Sequence, residues 1–81
     1  RELYDKLWST LPGVLEELRN ALANSDFKKL RSLAHQLKGS SGTLRIQKLY
    51  ELFFDLEQKA IAEAKAACVD TLQFIEHLVK S

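Results

Sequence analysis

Apolar residues recur along this chain at spacings of three and four, the period of a helix buried on one face. Leu3, Leu7 and Leu11 stand at i, i+4 and i+8, with Tyr4 and Trp8 beside them. Val14, Leu15, Leu18, Ala21 and Leu22 form a second stripe, and Leu30, Leu33, Leu37 and Leu44 a third. Ile46, Leu49, Phe53, Leu56 and Ala60 form a fourth, flanked by Tyr50 and Phe54. Cys68, Leu72, Ile75 and Val79 make the last, widened by Phe74 and Leu78. No stretch alternates strictly as a strand would.

The breaks between stripes set the elements. Pro12 cannot donate its backbone N–H, so the spacing predicts a short first helix halted near Ser9-Thr10. Thr10 is then the expected N-cap of a second helix reaching about Ala23, with Pro12 in its first turn and Glu16 and Glu17 near the positive end of the dipole. Asn24-Ser25 ends that helix and Ser25-Asp26 opens the third. Gly42-Thr43 is the expected bend or stop. The alanine-rich run from Ala60 to Ala67 has no breaker, and the last boundary is placed between Ala62 and Lys65. Short connections force neighbouring helices to run antiparallel. The expected fold is all-α: an antiparallel up-down four-helix bundle with a short additional N-terminal helix, one domain over residues 1–81.

Composition narrows the classes without naming a function. The single cysteine, Cys68, excludes an internal disulfide framework, which fits a reducing compartment, and its place on an apolar stripe makes it a core residue. No apolar run approaches the ~18 residues of a membrane span. The chain has no methionine and begins with Arg1, which reads as a segment of a longer polypeptide. Net charge is +1, but residues 26–48 hold six bases (Lys28, Lys29, Arg31, Lys38, Arg45 and Lys48) against Asp26 alone. That stretch is therefore +5 and the remainder −4, so the basic field is local.

The field surrounds Ala34-His35-Gln36-Leu37-Lys38-Gly39-Ser40-Ser41-Gly42, where small residues interrupt an otherwise good helix at a cost in propensity. At about 100° per residue, Lys38 lies about 60° from His35 and Gly39 about 40° away on the other side. Lys28, Arg31, Ser32 and Gly42 share that side, Gln36 adjoins it, and the leucines lie opposite. His35 is thus expected to be exposed, with a cation on one flank and free space on the other. Ser40 and Ser41 fall towards the core edges, where small side chains let a neighbouring helix come close. A neutral imidazole is a good nucleophile near neutral pH, an unperturbed histidine titrating near ~6.5. Phosphoryl transfer needs mainly in-line access and neutralised oxygens, which an imidazole, a lysine and a gap can supply. The chain has no glycine-rich phosphate loop, no Walker lysine and no acidic pair for magnesium, so it is not expected to act as an ATP-dependent kinase and its phosphoryl donor should be another protein.

With the Ser25-Asp26 helix start before it and Leu49, Leu52 and Leu56-Glu57 after it, this motif resembles the histidine-containing phosphotransfer (HPt) domain of bacterial multistep phosphorelays, such as those of hybrid sensor histidine kinases. The resemblance spans essentially the whole chain. It implies a four-helix bundle whose His35 accepts a phosphoryl group from a receiver-domain aspartate and passes it to another. Lys38 would then assist electrostatically, Gly39 would give clearance, and Ser40 and Ser41 would allow close packing. It also implies a cytoplasmic module, monomeric in isolation, with no cofactor or metal, whose parent is compatible with an inner-membrane anchor. One departure is visible: the family commonly has glycine after the leucine where Leu44 here precedes Arg45, which bears on the turn and not on the chemistry.

A receiver should dock over the His35 face on apolar residues that the bundle does not need, and Leu11, Val14, Leu15 and Phe27 are the candidates. Elsewhere, His77 beside Glu76 reads as a surface histidine. Ser40 and Ser41 are five and six residues from His35 and point away from it. The histidines have no further ligands at metal-binding spacing. The competing reading is a helical interaction or nucleic-acid-binding bundle using the basic third helix, which steep salt dependence of DNA binding would support. A scaffold that has lost transfer is a third, weakened by the intact His35, Lys38 and Gly39.

Overall fold

The leucine stripe at the start of the chain does not stop at Pro12. In the computed structural model, which describes residues 2–80 and the side chains of residues 5–79, helix α1 runs unbroken over Glu2–Ala23 with Pro12 inside it. The short separate N-terminal helix expected from the proline is therefore absent, and Thr10 is mid-helix and not an N-cap. Its hydroxyl donates to the Lys6 carbonyl at 2.9 Å. An interior proline costs about 3 kcal/mol. Against this, α1 buries Leu7, Leu11, Leu15, Leu18 and Leu22 on one continuous stripe, each such burial contributing about 1.5–3 kcal/mol. Packing wins over local propensity. The side chains of Leu3 and Tyr4 lie outside the described residues.

Helices α2 (Phe27–Thr43), α3 (Gln47–Ile61) and α4 (Lys65–Lys80) complete the chain. Asp26 caps α2, its Oδ1 accepting from the Lys29 amide at 3.2 Å. The three connections share one design. In each, a residue with positive φ follows the helix: Ser25 (56°), Arg45 (60°) and Glu63 (54°). In each, the next amide reaches back five residues, Asp26 to Ala21, Ile46 to Ser41 and Ala64 to Lys59, at 2.8, 2.9 and 3.0 Å. This is the Schellman closure, which normally prefers glycine at the left-handed position. Gly42, the expected stop, stays helical; α2 ends two residues before Arg45 takes the left-handed turn.

Each helix packs on its neighbours in sequence, and α4 packs back on α1 to close a ring of four. The shared core centres on Leu11, Leu18, Leu30, Leu49, Phe53, Leu56, Cys68 and Ile75, all fully buried. Phe74, expected to widen the α4 stripe, is instead 64% exposed. Among the described residues, no helix is long and apolar enough to cross a membrane. On α2 the buried positions are Leu30, Ala34, Leu37 and Ser41, one residue per turn. That register points His35 and Gly39 out of the bundle.

Candidate functional site

His35 sits midway along α2 with its side chain 66% exposed. Its Nδ1 lies 2.8 Å from Oε2 of Glu57 on α3. The other oxygen of the same carboxylate, Oε1, accepts from Lys38 Nζ at 2.8 Å. The Lys38 ammonium also stands over the Phe54 ring, 5.3 Å from its centroid, and Phe54 stacks on Tyr50. Lys38 is thus largely covered, at 20% exposure, held between a carboxylate and an aromatic face.

Glu57 is buried, a position a carboxylate tolerates only when paired. The Lys38 hydrogen bond holds its carboxyl below the usual glutamate range, burial pushes the other way, and the His35 hydrogen bond adds to the lowering. An ionised carboxylate only accepts, so the hydrogen is assigned to His35 Nδ1. In the neutral ring the lone pair is then on Nε2, which has no protein partner among the described residues. An imidazole held in this way can act as a nucleophile through Nε2.

Space is provided on one side. A Cβ added at Gly39 would meet nothing within 4 Å. Gly39 borders an open groove of about 460 Å³ between α1 and α2, lined also by Lys6, Thr10, Ser40 and Thr43. Gly42 does not share this open side. A Cβ there would come within 3.2 Å of the Tyr50 ring, so Gly42 serves the approach of α3 to α2. Lys28 and Arg31 are exposed on α2, two turns and one turn before His35, beside a shallow depression with Phe27 and Ile61. Ser32 and Gln36 are exposed on the same helix. Ser41 is fully buried, whereas Ser40 faces the groove.

The apolar docking candidates are redistributed. Leu11 and Leu15 are core residues, at 0% and 4% exposure, and are withdrawn as docking surface because the continuous α1 stripe buries them. Val14 and Phe27 are half-buried against the core. The exposed large apolar residues nearest the site lie on α3: Tyr50, Phe54 and Ile61. Cys68 is fully buried, and burial pushes its thiol up. His77 is exposed on α4, which packs on α1 and α3.

Glu57 joins His35 and Lys38 here, although the sequence pattern after the motif named it without giving it a role. Its signal is nonetheless present: it stands between the core positions Phe53 and Ala60, at i−4 and i+3, where a glutamate demands partners. No curated protein and no solved structure matches the chain. The family model for the Hpt domain does match, over residues 2–81. With a helical bundle, an exposed histidine and a clear flank already in place, the chain belongs to the Hpt domain family, the phosphotransfer modules of two-component signalling that work with receiver domains.

Proposed function

We propose that His35 is the residue phosphorylated, taking a phosphoryl group from the aspartyl phosphate of one receiver domain and passing it to the aspartate of a response regulator. The observation that carries this is the 2.8 Å contact of Nδ1 with Glu57 on a ring that is two-thirds exposed. It leaves Nε2 as the reacting atom. The Nε2 lone pair attacks phosphorus in line, the bond from phosphorus to the aspartate oxygen breaks, and its electron pair stays on the carboxylate. The Lys38 ammonium, one turn on, can turn from Glu57 towards the phosphoryl oxygens, and Gly39 gives clearance.

The receiver docks across α2 and α3. Tyr50, Phe54 and Ile61 offer apolar contact, while Lys28 and Arg31 draw in an acidic partner surface. The bundle beneath is read as up-down and antiparallel: His35 and Lys38 meet Glu57 whereas Gly42 meets Tyr50, so numbering rises along α2 as it falls along α3.

The test is to mix the domain with a phosphorylated receiver and follow the label. The bound label should be acid-labile and base-stable. His35→Gln should abolish transfer without loss of helix content, Lys38→Ala should slow it, and Gly39→Glu should block it by bulk and charge. If His35→Gln is labelled as well as the parent sequence, the assignment is wrong.

A further inference from the structure

We propose, resting on the phosphotransfer reading above, that Glu57 is a positioning residue that keeps a proton on Nδ1 of phosphorylated His35 and so sets how readily the phosphoryl group leaves. Attack by Nε2 produces a ring with phosphorus on Nε2 and hydrogen still on Nδ1, which is a cation. That proton either stays or is lost to water. Glu57 Oε2, 2.8 Å from Nδ1, stabilises the protonated ring as a charge-assisted pair. Because Glu57 is buried, the contact is screened less than a surface pair.

The position of this proton decides the leaving group. When an aspartate carboxylate or water attacks phosphorus, the P–Nε2 bond breaks and its electron pair returns to Nε2. With Nδ1–H retained, the ring departs as neutral imidazole. With that proton lost, it would depart as an imidazolate anion, a far poorer leaving group.

The charged groups around the ring oppose one another. Glu57 faces it from α3. Lys38 on α2 holds the second oxygen of the same carboxylate, and Arg31 lies one turn before His35. From α1, Lys6 borders the groove at Gly39. Three cations disfavour a cationic ring, and Glu57 is the carboxylate hydrogen-bonded to it among the described residues. Lys38 competes directly for this carboxylate, so removing Lys38 and removing the Glu57 charge must act in opposite senses.

The domain can be phosphorylated with phosphoramidate, a small donor that needs no receiver, and the His35 signal identified by phosphorus NMR as the one missing in His35→Gln. Hydrolysis of that signal is then followed from acid to alkaline pH. In Glu57→Gln, which keeps the side-chain volume, the pH at which hydrolysis falls to half its acid rate should drop by about one unit, a phosphohistidine roughly tenfold longer-lived on the alkaline side. In Lys38→Gln it should rise. A residue that merely props the fold would not give shifts of opposite sign. A Glu57→Gln profile that superimposes on the parent, or moves upward, overturns the proposal while leaving phosphotransfer intact. Failure of His35 to take label from either phosphoramidate or a receiver overturns the phosphotransfer reading itself.

Discussion

Two carboxylates of helix α3, Asp55 and Glu57, stand two residues apart and serve opposite seams of the bundle. On the α4 side, Asp55 Oδ2 accepts from Lys59 at 2.6 Å and from the Thr71 hydroxyl at 3.1 Å, while Lys59 also donates to Thr71 at 2.7 Å. On the α2 side, Glu57 accepts from Lys38 and from His35, both at 2.8 Å. Lysine hydrogen bonding holds both carboxyls below their usual ranges, against burial, with Thr71 assisting at Asp55 and His35 at Glu57. The ingredients are the same: a carboxylate, an ammonium and one further polar group. The difference lies in that third group. Thr71 is buried, and its hydroxyl both donates and accepts within the cluster. His35 uses one nitrogen in the clasp, leaves the second without a protein partner among the described residues, and stands beside a glycine with open space. A carboxylate–lysine clasp is therefore a way to join helices, and in the proposed reading it becomes a site where it holds a group with an unpaired ring nitrogen.

The strongest test of that contrast removes one partner from each seam. Glu57→Ala strands the Lys38 ammonium and frees the imidazole to rotate. Transfer should fall by about 10- to 100-fold, taking the scale known for carboxylate partners of metal-ligating histidines. Stability should fall by about 1–3 kcal/mol in urea unfolding. Thr71→Val should cost about 1 kcal/mol and leave the transfer rate unchanged. Equal loss of transfer in the two variants would erase the distinction between the seams.

A finer test uses the two glycines of α2, one on the open flank and one within the α2/α3 seam. Gly39→Ala adds a methyl group into free space, so only helix propensity changes, and thermal or urea unfolding should show a gain of about 0.5–1 kcal/mol. Gly42→Ala earns the same propensity but pushes the Tyr50 ring, itself stacked on the Phe54 that supports Lys38. Its gain should be smaller or absent. If Gly42→Ala stabilises as much as Gly39→Ala, Tyr50 is not a fixed part of the seam.

These residues also show what the sequence alone could reveal. The exposure of His35, the nearness of Lys38 and the open flank at Gly39 were legible because their relation lies within one helix, where spacing fixes direction. Glu57 was not, since its role arises from a pairing across 22 residues and two helices, although its place between Phe53 and Ala60 marked it as buried. Gly42 is exposed as the spacing predicts, but its closeness to the ring of Tyr50 was hidden for a related reason: that atom belongs to another helix. Around Pro12 the error ran the other way. A strong local rule predicted a break, yet Leu7, Leu11, Leu15, Leu18 and Leu22 already described one uninterrupted stripe, and burying it outweighs a missing donor. The same stripe removes Leu11 and Leu15 from the docking surface.

The smallest effects should come from the turns, where the two seams are expected to be alike. Arg45 closes α2 before α3 and Glu63 closes α3 before α4, with φ of 60° and 54° and the same pair of backbone hydrogen bonds. A non-glycine residue in the left-handed region is strained by roughly 1–2 kcal/mol. Glycine relieves this but gives the unfolded chain more freedom, an opposing effect of roughly 0.5–1 kcal/mol. Arg45→Gly and Glu63→Gly should therefore each stabilise the bundle by about 0.5 kcal/mol, measured as matched increases in the urea midpoint, with transfer rates unchanged. The backbone is common to both seams, and in the proposed reading the chemistry resides in the side chains above it. Should Arg45→Gly alter transfer while Glu63→Gly does not, the turn between α2 and α3 would have to be counted with His35 and Glu57 as part of the site.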